Sequence, residues 1–316
     1  MQNPIKIGTR ESDLALWQAR YMARCIEKAH PDLKVMLVPM TTRGDQIQDR
    51  PLADIGGKGL FIKELESALL DGRVDLAVHS LKDVPAVLPP QLMLSAFTER
   101  EDPRDAVLSP HYKTLKNLPR SAKVGTSSLR RSAQLLHIRP DLQIIPLRGN
   151  VTTRLNHADD GTCDAVILAA AGLKRLKLEH RITEYLPVSL CIPAAGQGIM
   201  AVETRAGDAE LSQILQFLKN PEIEACVAAE RSFLAEVGGD CRVPAGIHAS
   251  VCKGGNINAE AVIASIDGRR LYRTSGTCMA GQALHLGYSL AEQLLSEGGA
   301  AVLSELNLTK TPEEKI

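Results

Sequence analysis

Short apolar runs alternate with longer amphipathic stretches through the first half of the chain. Residues 5–7 predict a strand, and residues 12–29 repeat apolar side chains at helical spacing. Residues 35–38 and 74–78 predict further strands, with a helix from about residue 58 to residue 70 between them. Strands and helices in turn are typical of an α/β fold with a mostly parallel sheet covered on both faces.

The start of this pattern returns in the middle of the chain. Residues 124–128, Val-Gly-Thr-Ser-Ser, repeat the order of residues 7–12: an apolar strand end, Gly-Thr, and then a serine where a helix starts. The repeat predicts two similar lobes with mostly parallel sheets around a cleft, as in periplasmic binding proteins. The link between the lobes, residues 100–105, is charged and contains a proline.

A different pattern begins at Pro221, where one long helix precedes three strands and a closing helix at 281–297. These elements predict a small C-terminal α/β domain with an antiparallel three-stranded sheet. The strand and helix predicted at 199–203 and 208–219 can return to the first lobe. The expected units are lobe 1, residues 1–98 plus 199–219; lobe 2, residues 104–193; the C-terminal domain, residues 221–307; and a polar tail, residues 308–316.

Composition narrows the possible partners. The chain has 316 residues, 44% of them hydrophobic, which is enough for more than one core. Lys plus Arg equals Asp plus Glu, 37 each, and aromatic residues make up 3%, so neither nucleic acid nor a membrane surface is indicated as a partner. The sequence shows no apolar signal segment and no membrane-spanning stretch, and we expect a cytoplasmic protein. The seven cysteines form no C-x-x-C pair, so no metal site is expected.

Both Gly-Thr turns bring a serine to a helix start, where free N–H groups and the helix dipole suit an anion. Ser12 and Ser128 can also be ordinary N-caps, but two matching turns favour an anion site. Arg130 and Arg131 oppose the dipole of their helix, which indicates function rather than a solvated face. Basic residues gather at several such strand ends and helix starts: Arg10, Arg130, Arg131, Arg148, Arg154, Lys174 and Arg175. This set predicts a ligand with several carboxylates or phosphates.

Residues 79–85, His-Ser-Leu-Lys-Asp-Val-Pro, directly follow a predicted strand and bring Lys82 and Asp83 to the same edge of the sheet. A carboxylate there can hold a pyrrole-like N–H, stabilise a cation or move protons. It can equally cap the turn before the proline. The glycine-punctuated loop 42–59, with Lys58 near its end, fits either a mobile lid or a plain connection.

Cys241 lies in the run Gly-Gly-Asp-Cys-Arg-Val-Pro, which sets it apart from the other six cysteines. Glycines before it and a proline after it favour a shaped loop, on which a thiol is placed for covalent chemistry. The alternative is a buried cysteine that behaves as a small hydrophobic residue. The local sequence leaves both open.

Taken together, these runs resemble the porphobilinogen deaminase family, also called hydroxymethylbilane synthase, of the bacterial type. The resemblance extends in order across nearly the whole chain. The matching runs are residues 8–12, 56–61, 79–85, 100–105, 125–131, 147–150, 194–198 and 238–241.

The resemblance implies a monomeric transferase that joins four porphobilinogen molecules head to tail, releasing ammonia, to give hydroxymethylbilane for tetrapyrrole (haem) biosynthesis. It also implies a dipyrromethane cofactor that is attached through a thioether to Cys241, with Asp83 as the catalytic carboxylate. By the same match, the residues that hold cofactor and substrate are Arg10, Ser12, Lys58, Ser80, Lys82, Thr126, Ser127, Ser128, Arg130, Arg131, Arg148, Gly149, Arg154, Arg175 and Gln197.

Two other classes of function fit parts of the pattern. A non-catalytic two-lobed carboxylate-binding module accounts for the arginines but gives Asp83 and Cys241 no role. A cysteine acyltransferase needs a histidine partner, and His79 is the only candidate near a strand end. A covalent mass increment on the protein separates the first alternative from the transferase.

Overall fold

The computed structural model describes residues 4–42, 44, 62–238 and 243–308. The strands in these ranges are β1 (Ile5–Arg10), β2 (Val35–Met40), β3 (Leu76–Ser80), β4 (Leu92–Phe97), β5 (Asp105–Leu108), β6 (Lys123–Gly125), β7 (Gln143–Ile145), β8 (Ala165–Ala169), β9 (Glu184–Leu186), β10 (Met200–Arg205), β11 (Ala245–Val251), β12 (Ile257–Ala264) and β13 (Leu271–Cys278). The α-helices there are α1 (Asp13–Ala29), α2 (Lys63–Leu70), α3 (Leu129–Ile138), α4 (Val151–Asp159), α5 (Ala170–Arg175), α6 (Ala209–Ile214), α7 (Pro221–Glu236), α8 (Ala283–Leu294) and α9 (Ala300–Leu308). Within the described ranges, no helix is both long and apolar enough to cross a lipid bilayer.

The first sheet has the strand order β2-β1-β3-β10-β4. β1 pairs in parallel with β2 and β3, whereas β10 pairs antiparallel with β3 and β4. Four of its five strands therefore run in one direction, and β10 runs against them. Helix α1 covers this sheet, and its Met22 and Ile26 belong to the same buried cluster as Ile7 and Leu76. The strand predicted at 199–203 thus does return to the first sheet.

The second sheet repeats this plan in the order β7-β6-β8-β5-β9. β6 pairs in parallel with β7 and β8, and β5 is the reversed strand between β8 and β9. The prediction of two similar α/β lobes with mostly parallel sheets is confirmed. Each reversed strand directly follows a segment that crosses between the lobes: residues 98–104 lead from β4 to β5, and residues 187–199 lead from β9 to β10. The two crossing segments lie side by side, because the Glu101 N–H donates to the Gly198 carbonyl at 3.1 Å.

The third sheet is antiparallel, with the order β11-β12-β13, as predicted for the C-terminal domain. Helices α7 and α8 pack on it, and Phe233, Ile247, Ala261 and Leu290 share its buried cluster. The three sheets follow the segments expected for the two lobes and the C-terminal domain. The exact domain boundaries stay a prediction.

The helix predicted at 281–297 is present as α8 and the start of the turn Leu295–Gly299, and the structure adds a second helix, α9, after it. The interruption between the two helices comes at Gly298, which has a φ of +130°. A Cβ atom at this glycine would lie 2.4 Å from the Tyr272 hydroxyl of β13. The interruption therefore lets the chain pass close to the sheet, a contact that local helical periodicity does not contain. Helix α9 reaches Leu308, the first residue of the predicted tail.

Candidate active site

Asp83 lies at the carboxyl end of β3, in the single 3₁₀ turn Leu81–Asp83. Leu81 is buried beneath this turn, and its N–H donates to the Ile199 carbonyl at 3.0 Å. The Val84 N–H closes the turn onto the Leu81 carbonyl at 3.1 Å. Asp83 itself is exposed. The fold therefore presents this carboxylate at the edge of the sheet on a buried support. Ser80, the residue before the turn, accepts a hydrogen bond from Gln18 Nε2 at 2.8 Å.

The serines of the two Gly-Thr turns are N-caps. Ser12 accepts from the Ala15 N–H at the start of α1, and Ser128 accepts from the Arg131 N–H at the start of α3, both at 3.4 Å. Thr126 Oγ1 accepts from the Ser128 N–H at 3.2 Å, and Ser127 Oγ donates to the Leu147 carbonyl. The capping alternative is thus realised. A binding role for Ser12, Thr126, Ser127 and Ser128 stays a prediction.

Arg130 and Arg131 do not face solvent, and their partner is a carboxylate of the protein. Arg131 donates through Nε and Nη2 to Asp105 Oδ1 at 2.9 and 2.7 Å, and Arg130 Nη1 lies 2.8 Å from Asp105 Oδ2. Asp105 is fully buried at the start of β5. Burial alone raises its pKa, but the two guanidinium groups outweigh burial and hold the pKa well below its usual range. A carboxylate of the protein therefore offsets the charge of these two arginines, and a part for them in holding a ligand stays a prediction.

Gln197 and Arg175 also bind within the protein. Gln197 Nε2 donates to Asp105 Oδ1 at 2.9 Å and to the Pro103 carbonyl at 2.6 Å. Arg175 Nη2 donates to the Gly198 carbonyl at 2.6 Å. The Gln197 contacts join the two segments that cross between the lobes, whereas the Arg175 contact joins α5 of the second lobe to one of these segments. These donors hold the connection between the lobes, and a part for either side chain in binding a ligand stays a prediction.

Lys82 of the first lobe lies near Asp105, Arg130 and Arg131 of the second lobe, which we call the Asp105 group. Burial, together with the charges of Arg130 and Arg131, lowers the pKa of Lys82 to about 8, and the charges of Asp83 and Asp105 partly oppose this shift. Within the described residues, its ammonium group makes no hydrogen bond or salt bridge. A partly buried cation in this state is suited to an anionic ligand.

Arg154 extends the basic group on the side of the second lobe. Its Nε donates to the Gly149 carbonyl at 3.0 Å, and Gly149 has a φ of +93°. Burial lowers the pKa of Arg154 to about 10, Arg131 and Arg148 add to the effect, and Asp83 opposes it. Because the charge of Asp83 affects the pKa of Arg154, the catalytic candidate of the first lobe lies near the basic residues of the second.

The basic side chains around Asp83 and Asp105 outnumber the carboxylates. Five cationic side chains, Lys82, Arg130, Arg131, Arg148 and Arg154, share the region with the carboxylates of Asp83 and Asp105. The excess of positive charge fits a ligand with several carboxylates, such as a dipyrromethane with acetate and propionate groups. Arg10 is half-buried at the carboxyl end of β1 in the first lobe. Cys241 and Lys58, and nearly all of the loop 42–59, lie outside the described residues.

Asp105 is the residue that the sequence reasoning missed. It was part of a matching run but had no assigned role, and it accepts from Arg130, Arg131 and Gln197. Two adjacent arginines at a helix start, together with an aspartate that opens a fully buried strand, could have indicated the pairing. His79, the candidate partner for a cysteine acyltransferase, is 5% exposed and bound to Glu203 at 2.9 Å in the interior.

Comparison with known proteins agrees with the sequence resemblance. Residues 5–213 match the family model "Porphobilinogen deaminase, dipyromethane cofactor binding domain", and residues 224–296 match "Porphobilinogen deaminase, C-terminal domain". Proteins named porphobilinogen deaminase from Syntrophotalea carbinolica and Geobacter sulfurreducens are 49% and 47% identical over 308 and 313 residues. These alignments cover 98% and 99% of this chain and 98% of each relative. A solved methionine-binding lipoprotein of Bacillus subtilis is 13% identical, with a TM-score of 0.42 over 68% of this chain and 89% of its own.

Proposed function

Because the chain belongs to the porphobilinogen deaminase family, we infer that it is a transferase that joins four porphobilinogen molecules head to tail, with release of ammonia, into hydroxymethylbilane. Its cofactor is dipyrromethane. The observation that carries this function is the match of both family models, in order, over residues 5–213 and 224–296. The excess of basic side chains around Asp83 supports it, because porphobilinogen and its oligomers carry an acetate and a propionate on every ring.

Cys241 is the proposed attachment residue. It lies in the glycine-flanked run that matches the family, whereas Cys163, Cys191 and Cys226 are buried. Burial raises the pKa of Cys191 to about 12 and that of Cys226 to about 11, so neither thiol is inclined to form a thiolate. When bound, dipyrromethane supplies a covalent primer with a free pyrrole end from which the product chain grows.

Asp83 is the proposed catalytic carboxylate. Release of ammonia breaks the bond from the aminomethyl carbon of porphobilinogen to nitrogen, and it leaves an electron-poor azafulvene. The exposed Asp83 carboxylate can accept a hydrogen bond from the pyrrole N–H and stabilise the positive charge that develops there. Lys82 and Arg154 are near enough to Asp83 to hold substrate carboxylates beside it.

The remaining residues predicted from the family resemblance complete the proposal. Arg10, Ser12, Lys58, Ser80, Thr126, Ser127, Ser128, Arg148 and Gly149 bind cofactor or substrate. Arg130, Arg131, Arg175 and Gln197 have the same proposed role, with part of their hydrogen-bonding capacity used inside the protein. The enzyme is proposed to be a cytoplasmic monomer with a small-molecule substrate and no nucleic-acid or membrane partner.

Intact-mass spectrometry tests the attachment. We expect the purified protein to be heavier than its sequence by one dipyrromethane, and Cys241→Ser to lack the increment. Cys252→Ser, at the exposed cysteine of the described residues, is the matched control and should keep it. Addition of porphobilinogen should produce stepwise mass increases on the wild type, with release of hydroxymethylbilane.

Two results would contradict the proposal. An increment that survives Cys241→Ser would place the cofactor elsewhere. A wild type without any increment and without product would favour the non-catalytic carboxylate-binding module.

A further inference from the structure

One face of α7 is directed at the turn that carries Asp83. Ile223, Val227 and Arg231 follow one another at intervals of four residues, so they lie on the same side of the helix. Ile223 and Val227 pack in one apolar cluster with Leu81 and Val84, the residues on either side of Lys82 and Asp83. The C-terminal domain therefore supports this turn of the first lobe directly.

Arg231 continues the same face but makes polar contacts. Its Nη2 donates to the Pro85 carbonyl at 2.9 Å and to the Ala86 carbonyl at 2.8 Å. Burial lowers the pKa of Arg231, and the charge of Glu203 partly opposes the effect. A guanidinium group is costly to bury, and the two hydrogen bonds to main-chain carbonyls offset part of that cost.

The segment after Asp83 is held by the apolar packing of Val84 and Leu88 and by the polar contacts of Arg231. Before the turn, β3 is held by its ladder with β10, and Leu81 packs against Gly196, where a Cβ atom would lie 2.5 Å from Leu81 Cγ. After the turn, Arg231 is the one described side chain that donates to the carbonyls of Pro85 and Ala86. The 3₁₀ turn is thus held by β3 before it and by the apolar packing of Leu81 and Val84, and Arg231 adds the polar contact to the carbonyls that follow it.

We propose that Arg231 is a positioning residue for Asp83: it holds the Pro85–Ala86 segment and so fixes the carboxylate for the reaction. The proposal rests on the catalytic role proposed for Asp83. Displacement of a reacting group by about 1 Å can lower a rate by up to about 100-fold. Apolar packing fixes Leu81 and Val84 on either side of Asp83, and the Arg231 contacts fix the main chain after it.

The test compares Arg231→Gln with a matched control, Arg205→Gln. Arg205 Nη1 also donates to two main-chain carbonyls, those of Leu69 and Val74, at 3.0 and 2.9 Å, but these lie in another part of the first lobe. Five quantities are measured on each cofactor-bearing variant: the adduct by intact mass, kcat and KM for porphobilinogen, the melting temperature, and hydrogen exchange in residues 81–88. Arg231→Lys tests rescue, since an ammonium group keeps a donor on a shorter side chain.

We expect Arg231→Gln to keep the adduct, to exchange faster in residues 81–88, and to lose about 10- to 100-fold in kcat with KM within about twofold of wild type. Arg205→Gln should lose a similar amount of melting temperature with unchanged kcat and unchanged exchange in this segment. Arg231→Lys should lie between wild type and Arg231→Gln. Should Arg231→Gln not fold, a Lys variant with wild-type kcat and faster exchange would overturn the proposal.

Equal losses of kcat in Arg231→Gln and Arg205→Gln would also overturn it, since the effect would then be general destabilisation. So would faster exchange in residues 81–88 with normal kcat, because the segment would then not need to be held. Failure of the proposed function is distinguishable: the wild type would form no hydroxymethylbilane. The exchange data would still decide whether Arg231 anchors the segment.

Discussion

Lys82 and Asp83 are neighbours in the chain but have opposite surroundings. Asp83 is exposed, whereas Lys82 is half-buried and near enough to Asp105, Arg130 and Arg131 of the second lobe for their charges to affect its pKa. One 3₁₀ turn is enough to separate them, because consecutive residues of such a turn point in different directions. The two residues are therefore suited to different tasks: Asp83 to the reacting ring, and Lys82 to a carboxylate near the Asp105 group.

Asp83→Asn removes the charge of this side chain and keeps its shape. We expect turnover to fall about 10²–10³-fold, because a carboxylate that stabilises a developing cation contributes about 3–4 kcal/mol to the barrier. Asp71→Asn, at an exposed aspartate at the end of α2, should leave turnover unchanged. Steady-state assays of both variants, with circular dichroism to check folding, give the comparison. Near-normal turnover in Asp83→Asn would reduce this residue to a cap of its turn.

Lys82 predicts a pH dependence of stability in protein that lacks the cofactor. Its pKa is about 8 in the folded chain and 10.5 as the usual value. Between these pH values the unfolded chain keeps the proton and the folded chain does not, so the free energy of unfolding rises with pH. The contribution is complete above pH 10.5, is lost as the pH falls through about 8, and amounts to at most about 3 kcal/mol.

Urea denaturation of Cys241→Ser and of Cys241→Ser/Lys82→Met between pH 8 and 10.5 measures this contribution, because other titrating groups are shared. We expect the rise only in the protein that has Lys82. Parallel curves would show that Lys82 titrates alike in both states. In cofactor-bearing protein a bound carboxylate raises the pKa of Lys82, and the rise should shrink.

At the scale of elements, the starts of two helices, one in each lobe, are set by nearby residues of the sequence. Ser12 and Ser128 cap α1 and α3, so each helix begins one residue after a serine that was singled out from the sequence. A cap is predictable because its partners lie two or three residues ahead in the chain. The strands predicted at 5–7, 35–38, 74–78 and 199–203 also match within a few residues, since each is a short apolar run.

Other element ends depend on contacts from distant parts of the chain. The break between α8 and α9 follows from the approach of Gly298 to Tyr272, 26 positions earlier. The helix expected at 208–219 ends as α-helix at Ile214 and continues as the 3₁₀ helix Leu215–Leu218. The reversal of β5 and β10 follows from the two segments that cross between the lobes. Periodicity reports which side chains are buried but not the direction of a strand.

At the scale of the whole molecule, one buried ion pair joins the crossing segments to the C-terminal domain. Arg100 Nη2 lies 2.8 Å from Glu230 Oε1, and its Nη1 donates to the Gln197 carbonyl at 3.0 Å. Glu230 is fully buried and accepts from the N–H groups of Gly196 and Ala249 at 2.6 and 2.7 Å. A single carboxylate thus connects three segments that are remote in sequence.

Arg100→Gln should lower the free energy of unfolding by about 3–5 kcal/mol, because it leaves Glu230 buried without its counter-ion. Arg269→Gln is the control: its pair with Asp267 is exposed and should contribute less than about 1 kcal/mol. Chemical denaturation of both variants checks the difference. Adding Glu230→Gln to Arg100→Gln should recover part of the loss. A loss in Arg100→Gln no larger than in the control would mean that the pair is not needed for stability.

The sequence by itself determined the α/β class, the two repeated lobes, the antiparallel C-terminal sheet and the candidates Asp83 and Cys241. The fold features rest on apolar periodicity, and the roles expected for Asp83 and Cys241 rest on the resemblance of short runs to a known family. Tertiary structure alone decided that Arg130, Arg131 and Gln197 meet at Asp105, and that Arg231 reaches the carbonyls after Asp83. Sequence patterns show that a charge must be neutralised or a carbonyl satisfied, but the partner is set by packing between segments about 25 to 150 positions apart.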